Sequence, residues 1–370
     1  MLTSDKPPRQ TGGFGGDPGK KNADWRKKLE PFFPEELKRL IWNITIKESE
    51  QATELRVRAE RPTILIAGKR QIKVNKWVPE GDTVQQLAEA LLGHSIYARS
   101  EELRGGFVTL PGGSRAGLCG RAVMENGRLH HMQDFSSIDI RIARPIKGSA
   151  DSLMQYISQD EKPMSTLLIG PPGCGKTTVL RDAARQLSEA GLQVGIVDER
   201  SEVAACVKGV PQLDVGPSSD VLDACDKAEG MMLLLRAFSP DVLIADEIGR
   251  REDADAIEEA SRCGVSVIAT AHASSLDELM HRPIMNQLLR QRSFDRYILL
   301  GKQSSFVRAW NGAFGIIAEG TPPVTAPVVR PASPSETPPI LTEPGLRVYV
   351  GERFENGERG IMKEAAIADD

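Results

Sequence analysis

Two rhythms of apolar and polar positions divide the chain. Between residues 25 and 148 the rhythm changes repeatedly: DWRKKLEPFFPEELKRLIWNI (24–44) has helical spacing, and ELRVRAERPTILIAGKRQIKV (54–74) alternates like short strands broken by turns at ERP and AGK. TVQQLAEALLG (83–93) is helical again, with Gly93 as its stop. GGFVTLPGGSRAGLCGRAVMENGRLHHM (105–132) reads as strand, glycine-rich turn, strand and a second turn at ENG. This mixture predicts a smaller α+β domain that closes near IDIRIARPIKG (138–148). From 149 to 320 the pattern is different. Unbroken apolar runs, TLLIG, VGIVD, VLIAD, VSVIAT and YILLG, alternate with amphipathic helices. Strands without alternation need cover on both faces, so this half predicts an α/β domain with a parallel sheet between helices.

Outside these limits the composition shifts. Residues 1–24 are rich in Gly, Pro and Lys, have little apolar surface to bury, and read as a disordered arm. Residues 321–370 open on TPPVTAPVVRPASPSETPPILTEPG and read as a Pro-rich, flexible tail. No run approaches the roughly 18 consecutive apolar residues of a membrane span, and the first residues lack the apolar segment of a signal peptide, which predicts a cytoplasmic protein. The five cysteines show no CxxC or Cys/His spacing, so they are expected as reduced, buried thiols and not as a metal or disulfide framework. The net charge of −4 conceals an asymmetry: residues 1–150 hold 25 Lys+Arg against 18 Asp+Glu, and the remainder 22 against 33. Such a basic half can meet an acidic partner, although without a dense Lys/Arg block it also fits an ordinary solvated surface.

The second half carries the chemistry. GPPGCGKT (170–177) fits G-x-x-x-x-G-K-[ST], with an apolar strand before it and the helical KTTVLRDAARQLSEAG after it, the context in which this pattern binds phosphate. Gly170, Gly173 and Gly175 let successive N–H groups turn toward phosphate oxygens at a helix N-terminus. The expected nucleotide-binding set is Gly170, Pro171, Pro172, Gly173, Cys174, Gly175, Lys176, Thr177 and Thr178, with Lys176 on the β- and γ-phosphates and Thr177 on Mg²⁺. DVLIADEIGR (241–250) then ends an apolar strand on Asp246, expected to orient the metal, and Glu247, expected to polarise the attacking water. Two adjacent carboxylates at this place predict an ATPase that uses ATP and Mg²⁺. VSVIATAHASS (265–275) presents Thr270 and His272, polar groups able to register a γ-phosphate, with His272 counted among the catalytic residues. GIVDERSE (195–202) places Asp198, Glu199 and Arg200 at another strand end, where Glu199 is a second acid able to assist water or metal.

The segment LLRAFSPDVLIADEIGRREDADAIEEASRCGVSVIATAHASS (234–275) resembles the secretion ATPase superfamily, whose members drive type II and type IV secretion and pilus dynamics. In those motors an LLR…PD…GEIRD segment precedes a helix and a (S/T)T-x-H histidine box; here Asp246 stands where many have Gly, and Gly249 enters before Arg250. GPPGCGKTTVLRD, VDERSE and CDKAEGMMLLLRAFSPDVLIADEIG, with GGFVTLPGGSRAGLCGRAV and IDIRIARP in the first domain, resemble more closely the stage III sporulation protein AA family of endospore formers. That likeness spans residues 30–315, and Ser114 stands where a His is expected in the family. The resemblance implies a RecA-like, AAA-type P-loop NTPase fold and a homo-oligomeric, hexameric ring. The ring is expected in the cytoplasm, peripheral to the membrane on the mother-cell side of a channel built by membrane proteins of sporulation. It would energise assembly of that channel or transport through it into the forespore. In such rings an arginine from a neighbouring subunit or domain meets the charge developing on the γ-phosphate; Arg141 and Arg144 are the candidates, with Arg236 behind them.

RecA-like cores also serve nucleic-acid motors, and the basic first half keeps a nucleic-acid-stimulated ATPase open as the alternative. Aromatics make up only 5% of the chain and no basic stretch interleaves them, which argues against stacking on bases. A non-hydrolysing nucleotide switch is opposed by Glu247.

Overall fold

Pro31 and Pro34 decide how the chain enters its first domain, because a proline lacks the N–H that a helix interior needs. The helical stretch expected over 24–44 is therefore divided into α1 (Trp25–Leu29), a 3-10 turn (Glu30–Phe32) and α2 (Glu35–Trp42). This computed structural model describes residues 24–320, apart from 75–76, 94–98, 100–101, 104–105, 126, 145 and 161, together with 342–343, 346–347 and 349–352. The expected arm thus lies outside the described residues except for Asp24, whose side chain caps α1 by accepting from the Arg26 amide. Most of the expected tail also lies outside them.

After α3 (Ile46–Gln51) come β1 (Ala52–Arg58), β2 (Arg61–Ala67), β3 (Arg70–Val74), α4 (Gly81–Leu91), β4 (Val108–Thr109), β5 (Arg115–Glu125) and β6 (Arg128–Arg141). Their pairing is antiparallel throughout, in the order β3-β2-β1-β6-β5-β4. Leu55, Val57, Leu65, Ile72, Ile138 and Ile140 of the sheet join Leu29, Leu37, Ile41, Val84 and Leu87 of the helices in one core. β3 and the second half of β1 alternate buried and half-buried positions in the way the sequence suggested, whereas β2 ends on three buried residues, Leu65, Ile66 and Ala67. A strand from the tail, Tyr349–Glu352, pairs with the edge of β3. That stretch departs from the expected flexible tail because β3 offers it an unpaired edge.

The second half begins with α5 (Met154–Ile157) and a short ladder of β7 (Ser158–Gln159) and β8 (Lys162–Pro163). Next follow β9 (Thr166–Gly170), α6 (Lys176–Glu189), β10 (Val194–Asp198), β11 (Ser219–Asp223), α7 (Lys227–Phe238), β12 (Val242–Ala245) and α8 (Arg251–Arg262). β13 (Ser266–His272), α9 (Leu276–Met280), α10 (Pro283–Gln291), β14 (Arg296–Leu300), β15 (Phe306–Asn311) and β16 (Ile316–Glu319) complete it. The sheet runs β11-β10-β12-β13-β9-β14-β15-β16, parallel through β14 and antiparallel in the last two strands. All residues of β9, β10 and β12 are buried. Leu167, Ile169 and Leu243 pack with Met231, Ile257 and Leu288 of α7, α8 and α10, while Leu168, Ile196 and Ile244 pack with Val179, Leu180 and Ala183 of α6. The five strands expected here are all present. β11 and the β15–β16 hairpin were not foreseen, since their half-exposed residues mix apolar and polar types.

All five thiols are free; Cys174 and Cys206 are buried as expected, but Cys119 and Cys263 are exposed, on a strand face and a helix end open to solvent. Among the described residues no helix is long and apolar enough to cross a membrane.

Candidate functional site

The loop from β9 to α6 is shaped by its glycines. Gly173 and Gly175 have φ of 71° and 105°, in the region that favours glycine, and a Cβ on Gly175 would run into Ser304 Oγ. A Cβ on Gly170 would lie 2.7 Å from Cys174 Sγ and 2.9 Å from the Leu300 carbonyl. α6 starts at Lys176, so its first amides face the loop. The Lys176 ammonium is buried and donates to the carbonyls of Gly170 (2.9 Å) and Pro171 (3.1 Å). Burial pushes its pKa below the ordinary lysine value, with Cys174, Asp246 and Glu247 pulling the other way.

Three strands converge beside that loop, because β13 lies between β9 and β12. Just past the end of β12, Asp246 Oδ2 accepts from Thr177 Oγ1 at 2.6 Å, and its Oδ1 accepts from Thr270 Oγ1. Thr270 Oγ1 in turn accepts from the Glu247 amide at 2.8 Å, and the Ile248 amide donates to the Thr270 carbonyl at 2.9 Å. Thr270 is fully buried and committed to these partners. The expectation that it registers a γ-phosphate directly is therefore corrected: it fixes the two acids. Glu247 needs fixing, since its φ of 55° is left-handed, a conformation that costs a non-glycine residue about 1–2 kcal/mol.

His272, at the end of β13, sits between the loop lysine and the acid. Its Nδ1 lies 2.9 Å from Lys176 Nζ, and its Nε2 lies 3.4 Å from Glu247 Oε1. Since the ammonium can only donate, Nδ1 accepts and Nε2–H faces the carboxylate. The other Glu247 oxygen accepts from Arg200 Nη1 at 2.9 Å. Asp198, Glu199, Arg200, Glu202, Lys227, Asp246 and Glu247 line a shallow cleft at this end of the sheet.

Glu199 lines the cleft but is not placed as a second acid. Its carboxylate pairs with buried Lys227 and, at 3.1 Å, with Arg250, which also pairs with Asp226 at 2.7 Å. Glu199 thus ties β10 to the starts of α7 and α8. Asp198 is likewise structural: it is buried and accepts from the amides of Glu202, Val203 and Ala204. Burial raises its pKa and those amides act against the rise.

Arg141, Arg144 and Arg236 are exposed, and among the described residues none bonds to the 170–178 loop. Ser114, by contrast, is buried and accepts from the Ala143 amide at 3.2 Å, which ties the turn before β5 to the segment that follows β6. Three residues that the spacing of the sequence did not single out join the site. Ser304 donates its amide to the Cys174 carbonyl at 2.6 Å, Arg181 of α6 donates to the carbonyls of Glu202 and Val203, and Arg115 reaches over from the first domain. No local pattern marks them, because their partners are distant in sequence.

Comparison with known proteins adds a family and a fold. A family model described as "Sporulation stage III, protein AA" matches residues 23–311. Stage III sporulation protein AA of Bacillus subtilis (strain 168) is 44% identical over 281 residues, 74% of this chain and 91% of that protein. Type IV pilus assembly ATPase PilB of Pseudomonas aeruginosa is 27% identical over 128 residues, 34% of this chain and 21% of that protein. Among solved structures, the ATPase DotB of Legionella pneumophila superposes with a TM-score of 0.50 at 18% identity, covering 75% of this chain and 81% of that one. That likeness bears out the α/β fold with its parallel sheet and preceding domain.

Proposed function

The chain belongs to the Sporulation stage III, protein AA family, and on that premise we propose that it is an ATP-hydrolysing motor of the secretion-ATPase kind. The observation that carries this reading is the junction at Asp246, which joins the phosphate loop through Thr177 and the Glu247 turn through Thr270. ATP is the substrate. The backbone amides of the 170–178 loop take its phosphate oxygens, and Lys176 supplies positive charge at their base. Glu247, held by Thr270, His272 and Arg200, accepts hydrogen from the attacking water. The Thr177 hydroxyl and the Asp246 carboxylate form a pair of hard oxygen donors that fits Mg²⁺, so these two residues would hold it. When bound, the metal offsets phosphate charge.

His272 touches both Lys176 and Glu247, and the strand it ends leads into α9 and α10. A change of partners at His272 therefore passes to helices beyond the site, and hydrolysis becomes motion. The reading extends to a homo-oligomeric, hexameric ring in the cytoplasm, peripheral to the mother-cell side of the membrane. There it would meet membrane proteins of a sporulation channel, energising channel assembly or transport into the forespore. Exposed Arg141, Arg144 or Arg236 would complete a neighbouring subunit's γ-phosphate site.

Lys176→Ala should abolish hydrolysis and strongly weaken ATP binding. Glu247→Gln should bind ATP without hydrolysing it and, as a trap, should co-purify with channel proteins from sporulating-cell membranes. Normal turnover in the Glu247 variant removes that residue from the mechanism. Salt-dependent stimulation of turnover by single-stranded nucleic acid would favour the nucleic-acid motor instead.

A further inference from the structure

Arg115 opens β5 directly after the 110–114 turn, and its side chain leaves the first domain for the second. Its Nη1 donates to Glu202 Oε1 at 2.8 Å, and its Nη2 donates to the carbonyls of Ser201 at 2.8 Å and Arg200 at 3.4 Å. The guanidinium also lies over the Phe107 ring, 4.3 Å from its centre. The loop beneath it starts at the end of β10 and carries Arg200, whose guanidinium holds Glu247. The same loop is also held from within the second domain: Asp198 accepts from its amides, and Arg181 donates to the carbonyls of Glu202 and Val203. Two arginines, one from each domain, thus clamp one loop.

The turn before Arg115 is built to bring it there. Gly112 and Gly113 both have φ of 81°, and a Cβ on Gly113 would lie 2.7 Å from Leu213 Cδ2. The Gly112 amide donates to Gln212 Oε1 at 3.1 Å. The first domain therefore rests on this segment at two places, through Arg115 near 201 and through the turn near 212. The Arg200–Glu247 ion pair cannot be explained as a prop of stability, since its side chains are 63% and 41% exposed and such pairs contribute little. What it supplies is the direction of the Glu247 carboxylate.

We infer that Arg115 is a positioning residue for hydrolysis: by capping the carbonyls of 200 and 201 it fixes the loop from which Arg200 aims Glu247. The seating of the first domain thereby sets the aim of the acid. This rests on the ATPase reading of the site.

The test uses the full chain, with steady-state turnover, affinity for a fluorescent ATP analogue and amide hydrogen exchange measured together. Arg115→Ala and Arg200→Ala should each lower kcat about 10–100-fold, the scale of a small misplacement of a reacting group, with nucleotide Kd within about twofold of wild type. The double variant should be no slower than Arg200→Ala alone, because one residue acts through the other. Arg115→Lys keeps the charge but loses the fork that spans two carbonyls and a carboxylate, so it should resemble Arg115→Ala and serves if the alanine variant does not fold. Unchanged kcat in both Arg115 variants, a double variant that multiplies the two losses, or a large rise in nucleotide Kd overturns the inference. If the wild type does not hydrolyse ATP, the ATPase reading fails by itself, and exchange still judges the positioning. Arg115 variants must loosen residues 246–249 as well as 199–205, and loosening confined to 199–205 overturns it.

Discussion

Replacing Thr270 by Val tests whether one buried hydroxyl organises both acids. The substitution keeps the side chain's shape and leaves no large cavity, so its effect is that of two hydrogen bonds. Thr270 Oγ1 accepts from the Glu247 amide at 2.8 Å and donates to Asp246 Oδ1, and the residue is fully buried. A neutral hydrogen bond contributes about 1 kcal/mol and one to a carboxylate about 1.5–3, which sets the loss at roughly 2–4 kcal/mol. The lower half is expected, because Asp246 keeps its bond from Thr177 and Glu247 is partly open to water. The catalytic effect should be larger than the structural one. Without the Thr270 acceptor the Glu247 amide loses the bond that helps hold its left-handed backbone, leaving the Ile248 amide, His272 and Arg200 contacts, so the carboxylate shifts and turnover should fall about 10²-fold. Urea unfolding and ATP turnover on one preparation measure both quantities. Thr270→Ser, which keeps the hydroxyl, should lose only about 1 kcal/mol of methyl burial and retain most turnover. A Thr270→Val protein within about 0.5 kcal/mol of wild type and fully active would refute the reasoning, since neither bond would then matter.

Asp182 on α6 accepts from the Ala150 amide (2.9 Å), Arg185 and Gln186; burial raises its pKa, but these donors outweigh it and hold the carboxyl below the ordinary aspartate value. Its stabilisation is therefore present above the ordinary value and lost as pH falls through the depressed one, so Asp182→Asn should lower the urea midpoint at pH 7 and have a shrinking effect as pH falls below the ordinary aspartate range. His272→Ala should keep ATP affinity, because the loop and Lys176 remain, yet lose most hydrolysis and any ATP-dependent change in ring shape. Affinity, turnover and small-angle scattering on that variant check it, and loss of binding alone would make His272 structural.

The turn between β9 and α6 and the place of Asp246 and Glu247 just past the end of β12 were legible because each is written in consecutive residues. Glycine spacing dictates a backbone path, and an apolar run followed by two acids marks a strand end. Glu199 was misread because a strand-end acid announces a charge without announcing its partner. Lys227 and Arg250, 28 and 51 positions away along the chain, decide that it is an anchor. Pro31 and Pro34, which lack the N–H that a helix interior needs, break a stretch whose apolar spacing is helical on both sides of them.

The PGGSR turn shows where legibility ends. Its two glycines announce a tight turn between strands, and β4 and β5 flank it as read. A tight turn alone needs room for positive φ. It does not require that the missing Cβ of Gly113 face Leu213, a hundred positions on in the chain, or that the Arg115 side chain reach the carbonyls of Arg200 and Ser201. Those demands come from the neighbouring domain. The same five letters therefore encode a local shape that sequence can give and a domain contact that only the fold supplies. If Arg115 aims Glu247 as inferred, the reason a phosphate site in the second half accompanies this particular turn in the first lies in that contact.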